Sequence, residues 1–234
     1  MKKMNTKIAI CYDFDGTLSS GYMQEFSFFP KFGINPQEFW KENNDFAKKH
    51  NMDSIISYMY LMLEEVKQRG LSLTQEDMID FGREIPLFNG LDTWFDRINQ
   101  YGEEVGVEVE HYIISSGLEE MIRGTEIAEN FKHIFASSFL YDDEGKAIGT
   151  ATAVNYTNKT QHLFRINKGI FNYYENTRVN QYVPHEEKYI HFSQMIYIGD
   201  GETDVPCMKI VRQQGGHALA VFEERKPSSK KNGC

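Results

Sequence analysis

Cysteine is scarce in this sequence: Cys11, Cys207 and Cys234 lie far apart, with no Cys-x-x-Cys spacing. That excludes a zinc knuckle and a disulfide framework. Cations are also short, since 25 Lys and Arg against 34 Asp and Glu leave a net charge of −9. Arg225, Lys226, Lys230 and Lys231 crowd into a basic tail, so the rest of the chain is more acidic still. Such a surface is a poor match for nucleic acid or an anionic membrane, and neither is expected as a partner. An anionic substrate would need a local cation to hold it. Long hydrophobic runs are missing too: the greasiest stretch, Ile55 to Leu63, is broken by Ser57 and falls far short of the roughly 20 residues of a membrane span. The basic start, Met1 to Lys7, precedes too brief an apolar run for a signal peptide, so the cytoplasm is the expected address. Repeats and low-complexity segments are absent.

What is present is an ordinary globular composition, 41% apolar and 25% charged over 234 residues. At roughly 150 residues per domain this is one sizeable core plus something smaller. Short apolar runs at Lys7–Tyr12, Val107–Ile114, Met195–Ile198 and Ala218–Phe222 read as buried strands. Helical spacings, notably Leu91-Trp94-Phe95-Ile98 and Pro206–Val211, separate them. The alternation predicts an α/β fold: a Rossmann-like, mostly parallel sheet with helices on both faces. Residues 20–89 hold no good strand, while Pro36–Phe46, Ile56-Met59-Tyr60-Leu63 and Leu73–Phe81 look helical. They are expected to form an inserted α-helical cap domain (20–89), with 1–19 and 90–234 forming the core. Met52, Met59, Met62, Phe39 and Trp40 either pack that module's own core or line a substrate pocket. Phe135–Tyr141 and Ile148–Val154, around the turn Asp142-Asp143-Glu144-Gly145, predict a β-hairpin.

Four segments carry chemistry. Asp13-Phe14-Asp15-Gly16-Thr17-Leu18 follows the first strand, and carboxylates at i and i+2 can face a common site while Gly16 turns the chain away. One carboxylate can attack phosphorus, the other can shuttle the leaving group's proton, and both suit magnesium. Ser115-Ser116-Gly117, read as a strand-to-helix turn, offers hydroxyls and backbone N–H groups to an anion, Ser115 by its side chain and Ser116 by its amide. Asn158 is expected to cap a helix whose first turn holds Lys159. A cation there opposes the helix dipole, which is intelligible if it is aimed at an anion. Its competitor, Lys168, sits before Gly169 as at an ordinary helix end. Gly199-Asp200 closes the third strand, with Asp200 placed to bind metal and Asp204 one turn on to orient the metal or its water. Three of the four segments lie at strand ends, which share one edge of a parallel sheet.

In order, these segments resemble the four motifs of the haloacid dehalogenase-like (HAD) superfamily of phosphohydrolases. The resemblance covers residues 5–19 and about 90–222. It implies that Asp13 is the nucleophile of an aspartyl-phosphate and Asp15 the general acid and base, with Ser115 and Lys159 completing the catalytic set. It implies a phosphate seat of Asp13, Gly16, Thr17, Ser115, Ser116 and Lys159. Mg2+ would sit at Asp13, Asp15 and Asp200, with Asp204 beside it. Dehalogenases of the superfamily lack the second aspartate, so Asp15 points to phosphate chemistry. The insert and hairpin are similar to the phosphoserine phosphatase branch. That branch grips its amino acid with an early carboxylate and a later arginine, for which Glu25, Arg69 and Arg83 are the only loose matches. The expected activity is hydrolysis of a small phosphorylated metabolite. The alternatives are a phosphomutase or phosphotransferase using the same aspartate, and a catalytically silent binding protein. The Asn- and Tyr-rich stretch Phe171–Tyr189 is expected to be a surface loop, and no oligomeric state is assigned.

Overall fold

The computed structural model describes residues 6–222. The basic tail lies outside the described residues. Six strands form one sheet in the order β4-β3-β2-β1-β5-β6. They are β1 (Thr6–Tyr12), β2 (Val107–Leu118), β3 (Phe131–Tyr141), β4 (Ala147–Thr152), β5 (Met195–Gly199) and β6 (His217–Ala220). Every neighbouring pair is parallel except the antiparallel hairpin β3–β4.

Between β1 and β2 come α1 (Phe28–Phe32), α2 (Pro36–His50), α3 (Ser54–Gln68), α4 (Gln75–Gly82) and α5 (Leu91–Glu104). Their starts are written locally. Asn35 accepts from the Glu38 N–H ahead of Pro36, Asp53 accepts from the Ile55 and Ile56 N–H groups, and Thr74 with Asp77 forms a capping box. The remaining helices are α6 (Glu119–Gly124), α7 (Lys159–Lys168), α8 (Asn176–Asn180) and α9 (Val205–Gln213). Among the described residues none is long and apolar enough to cross a membrane.

Side chains alternate across the inner strands. Ile10, Tyr12, Ile113, Ile134 and Ile198 enter one core, with Phe95 of α5 and Met121 of α6. Ala9, Cys11, Tyr112, Phe135 and Tyr197 enter the other, with Leu163 of α7 and Val211 of α9. A parallel sheet needs both faces covered, and the two cores do that. Phe39, Met59 and Met62 are buried in the first core, where they pack the helices together.

Helix α4 is welded to α6. A Cβ on Gly82 would lie 1.9 Å from the Met121 carbonyl oxygen, and one on Gly124 would lie 1.9 Å from that of Ile79. The two backbones touch, and no side chain fits between them. The start of α4 is also tied to the hairpin, because Gln75 N–H donates to the Gly145 carbonyl (3.0 Å) and Ala147 N–H to that of Leu73 (2.8 Å).

Several expectations shift. β3 begins at Phe131, and its first half pairs in parallel with β2, so the hairpin is an extension of the main sheet. Long-range pairing decides this, and Phe131-Lys132-His133 has no apolar run to announce it. β2 continues through Ser115-Ser116-Gly117 to Leu118, with an irregularity in pairing between Ile114 and Leu118, instead of turning at Ser115. The last strand is His217–Ala220, a little earlier than Ala218–Phe222. Phe171–Tyr189 is not a plain loop: it contains α8, and Phe171 and Tyr189 pack on the second core.

Candidate active site

The site is built by register. Tyr12 of β1 lies level with Ile113 of β2 and Ile198 of β5. The residues that follow, Asp13, Ser115 and Asp200, therefore reach the same edge of the sheet. Asp13 is pinned there because its N–H donates to the Ile198 carbonyl (2.9 Å). After it the chain turns: Gly16 N–H donates to the Ser19 carbonyl and Thr17 N–H to that of Phe14. Gly16 has φ +81°, and a Cβ there would meet Asp200 Oδ2 at 2.3 Å, so only glycine fits. Thr17 Oγ1 then donates to Asp200 Oδ1 (3.1 Å), which ties the first and last segments together.

Lys159 enters from the first turn of α7 and is 2% exposed. Its Nζ lies 3.0 Å from Asp13 Oδ1 and 2.7 Å from Asp204 Oδ1. Asp204 is fully buried, and its oxygens also accept from Tyr197 OH (2.8 Å) and Gly201 N–H (3.2 Å). Both of its oxygens are thus engaged, which makes it the clamp that aims Lys159 at Asp13. Asp15 Oδ1 accepts from the Met23 N–H (3.2 Å). Ser115 Oγ accepts from the Gly117 N–H (3.0 Å), leaving its proton to donate elsewhere.

Burial pushes the Asp13 carboxyl up to about 7, against the pull of Lys159. Burial, then the neighbouring Asp13, raises Asp15 well above the ordinary range, and burial also raises Asp200. Desolvation works against the charge on Lys159, but Asp13 and Asp204 outweigh it and hold the ammonium charged. One oxygen from each of Asp13, Asp200 and Asp204 lies within 4.8 Å of the others. These hard oxygen donors, crowded and short of positive charge, fit a magnesium ion.

The sequence pattern of the haloacid dehalogenase-like hydrolase family matches residues 10–209. This chain belongs to that family. An uncharacterized protein of Borreliella burgdorferi is 29% identical over 258 residues, spanning 99% of this chain and 88% of the relative. Among solved structures, a HAD family hydrolase from Salmonella enterica serovar Typhi superposes with a TM-score of 0.57 at 18% identity, covering 92% of this chain and 67% of that one. A substrate-bound phosphoserine phosphatase gives 0.56 at 14%, covering 93% and 95%. A phospho-aspartyl intermediate analogue of phosphoserine phosphatase gives 0.54 at 16%, again covering 93% and 95%. At these identities the likeness is one of fold.

In this HAD-family chain, the residues singled out from the sequence meet around one cavity of about 450 Å³, lined by Asp13, Asp15, Ser115, Ser116, Lys159 and Asp200. Gly16, Thr17 and Asp204 lie behind them. Asn158 precedes α7, but its side chain does not cap it: Oδ1 accepts from the Asn155 N–H and Nδ2 donates to the Ala153 carbonyl. Lys168 is elsewhere, donating to the Val179 and Gln181 carbonyls. Glu25 accepts from Trp40, Arg69 is held by Glu65 and the Phe32 carbonyl, and Arg83 pairs with Asp80. None of these three is in the cavity lining.

Sequence reasoning missed most of the outer wall, which Tyr22, Gln24, Asn43, Tyr58 and Tyr156 share with Trp40. Asn43 left a trace, as it falls between Phe39 and Ala47 on the buried stripe of α2, where an amide is out of place. Tyr58 left none. It sits in an apolar helix, and only the packing shows its hydroxyl donating to the Ser116 carbonyl (2.8 Å).

Proposed function

We propose that this chain is a magnesium-dependent phosphomonoester hydrolase acting on a small phosphorylated metabolite through an aspartyl-phosphate on Asp13. The observation that carries this is the buried Asp13 at a strand end, 3.0 Å from the ammonium of Lys159, with Asp15 two residues on in the same cavity. An Asp13 oxygen attacks phosphorus, the bond to the leaving oxygen breaks, and the Asp15 carboxyl protonates the departing alcohol. Burial and the neighbouring Asp13 raise the Asp15 carboxyl well above the ordinary range, the direction a general acid needs. Water then attacks the aspartyl-phosphate, Asp15 takes the water's proton, and the bond between phosphorus and Asp13 breaks.

Lys159, Ser115 and Ser116 hold the phosphoryl oxygens, while Gly16 and Thr17 shape the turn beneath them. A magnesium ion, held by Asp13, Asp200 and the Asp15 main chain, would neutralise charge on the transferring group. Residues 20–89 serve as the cap on a core of 1–19 and 90–234. Within the cap α2 and α3 supply the cavity wall, and α4 anchors it.

The direct test is phosphate release from a chromogenic phosphomonoester. Turnover in magnesium is expected to exceed that in a chelator by on the order of a hundredfold. Equal rates would sink the metal's role.

Stability gives a separate check. The native Asp13 keeps a proton that the unfolded chain has released, so between the ordinary 3.8 and about 7 its contribution to stability falls as pH rises. Buried His111 and His162 and half-buried His133, lowered to about 4, 3 and 4, act in the opposite sense below pH 6.5. The carboxylate effect is therefore read as a difference. The rise in Tm given by magnesium should grow from about pH 5 to about pH 8, as the metal replaces protons on these carboxylates. A rise that shrinks with pH would contradict it.

A further inference from the structure

We infer that the alcohol released at this site carries no negative charge and presents a flat ring to Trp40, as a nucleoside or a heteroaromatic alcohol does. This rests on the hydrolase proposed for the same cavity and goes on to name its substrate class.

The first argument is charge. Beyond the phosphate seat, the wall that residues 20–89 supply includes Tyr22, Gln24, Trp40, Asn43 and Tyr58, all neutral, with Tyr156 of the core beside them, and the further charge in the lining, Glu202, is negative. Among the described residues Lys159 is the one cation in the lining, and Asp13 and Asp204 already engage it. A carboxylate or second phosphate on the alcohol would be drawn from water without a partner, beside Asp15, Asp200 and Glu202. Arg69 and Arg83, the arginines of residues 20–89, are paired elsewhere.

The second argument is hydrogen bonding. Gln24 and Asn43 are 2% and 4% exposed, and their side-chain oxygens, Oε1 and Oδ1, have no partner among the described residues. For Asn43 the other end of the amide is spoken for, because Nδ2 donates to the Ser54 carbonyl (3.3 Å). Both residues line the cavity, and these oxygens lie just beneath its surface, where a donor that reaches them would be favoured. A carboxylate or phosphate brings none, whereas a hydroxyl or a ring N–H does.

The third argument is shape. Trp40 is held in place by its Nε1–H on Glu25 (2.7 Å), with the Tyr22 ring 5.0 Å away and the Tyr58 ring 5.9 Å away. Tyr58 is fixed in turn by its hydroxyl on the Ser116 carbonyl. An aromatic wall oriented before any ligand arrives suits a flat ring by face or edge contact. An acyclic amine could satisfy the acceptors but would leave this wall uncovered.

The test is calorimetric titration of full-length Asp13→Asn protein with magnesium. The ligands are uridine 5′-monophosphate and pyridoxine 5′-phosphate, set against phosphoserine, phosphoethanolamine and glycerol 1-phosphate. At least one ring monoester should bind about tenfold tighter than every non-ring ligand. Adding Trp40→Leu should cut that ratio by about tenfold, and a ratio is insensitive to any fraction of misfolded protein. Phosphoserine, phosphoethanolamine or glycerol 1-phosphate binding as tightly as both ring ligands would overturn the assignment, as would a ratio that Trp40→Leu leaves unchanged. Ring-selective binding by a parent protein that releases no phosphate would uphold the assignment and overturn the hydrolase. Hydrolysis of phosphoserine faster than of either ring monoester would do the reverse.

Discussion

Asp13→Asn is expected to lower phosphomonoester turnover by on the order of 10⁴-fold or more while leaving the protein folded. The amide is nearly isosteric with the carboxylate, and its oxygen can still accept from Lys159, which lies 3.0 Å away in the parent. It is not a competent nucleophile. The loss corresponds to roughly 5 kcal/mol or more of transition-state stabilisation. Asp15→Asn separates the two carboxylates' tasks. Its cost should be smaller for an ester of an acidic phenol, which leaves without help, and larger for an alkyl ester that must be protonated. The measurement is kcat for the two esters in each variant, with circular dichroism as the check on folding. Parental activity in Asp13→Asn would end the proposed mechanism.

Lys159→Met carries the second large effect, on stability as well as activity. The ammonium is 2% exposed and stands between Asp13 and Asp204, which are also buried. Deleting it leaves two carboxylates in a dry site with no cation between them. Breaking a buried pair in this way typically costs about 3–5 kcal/mol. In a chain of this size that is a fall in Tm of about 10 °C. The penalty should shrink near pH 5, where Asp13 takes up a proton. Turnover should fall by about a hundredfold or more, since a charge aimed at the phosphoryl oxygens is gone. The control is Lys168→Met, which removes an ammonium that donates to the Val179 and Gln181 carbonyls, away from the cavity, and should leave turnover intact. An unchanged Tm for Lys159→Met in chelator would show that the buried pair is not as drawn.

The chemical residues announced themselves because each sits beside a local signal. Asp13 and Asp200 end strands whose apolar runs stop abruptly, and Ser115 follows another such run. Lys159 opens a helix, a place where a cation needs a reason. Helices α2, α3 and α4 were equally plain, since helical spacing is a property of a few consecutive residues, whereas the short α1 was not foreseen. Even so, Asn158 shows the limit of local logic. It occupies the capping position, yet its side chain serves the preceding loop.

Taken alone, then, the sequence specified the α/β class, the strand ends and the family to which the chain belongs, because periodicity and strand-end motifs are local. Tertiary structure decided everything that depends on pairing across distance. It made β3 a parallel partner of β2 before it becomes a hairpin, and it set α4 against α6 at Gly82 and Gly124. It placed Asp204 behind Lys159, 45 positions away in sequence, and turned Asn43 and Tyr58 toward the cavity. A side chain's type is written where it stands. Which neighbours it meets is settled only when the buried faces of distant elements find the arrangement that leaves the fewest apolar groups in water and the fewest polar groups unpaired.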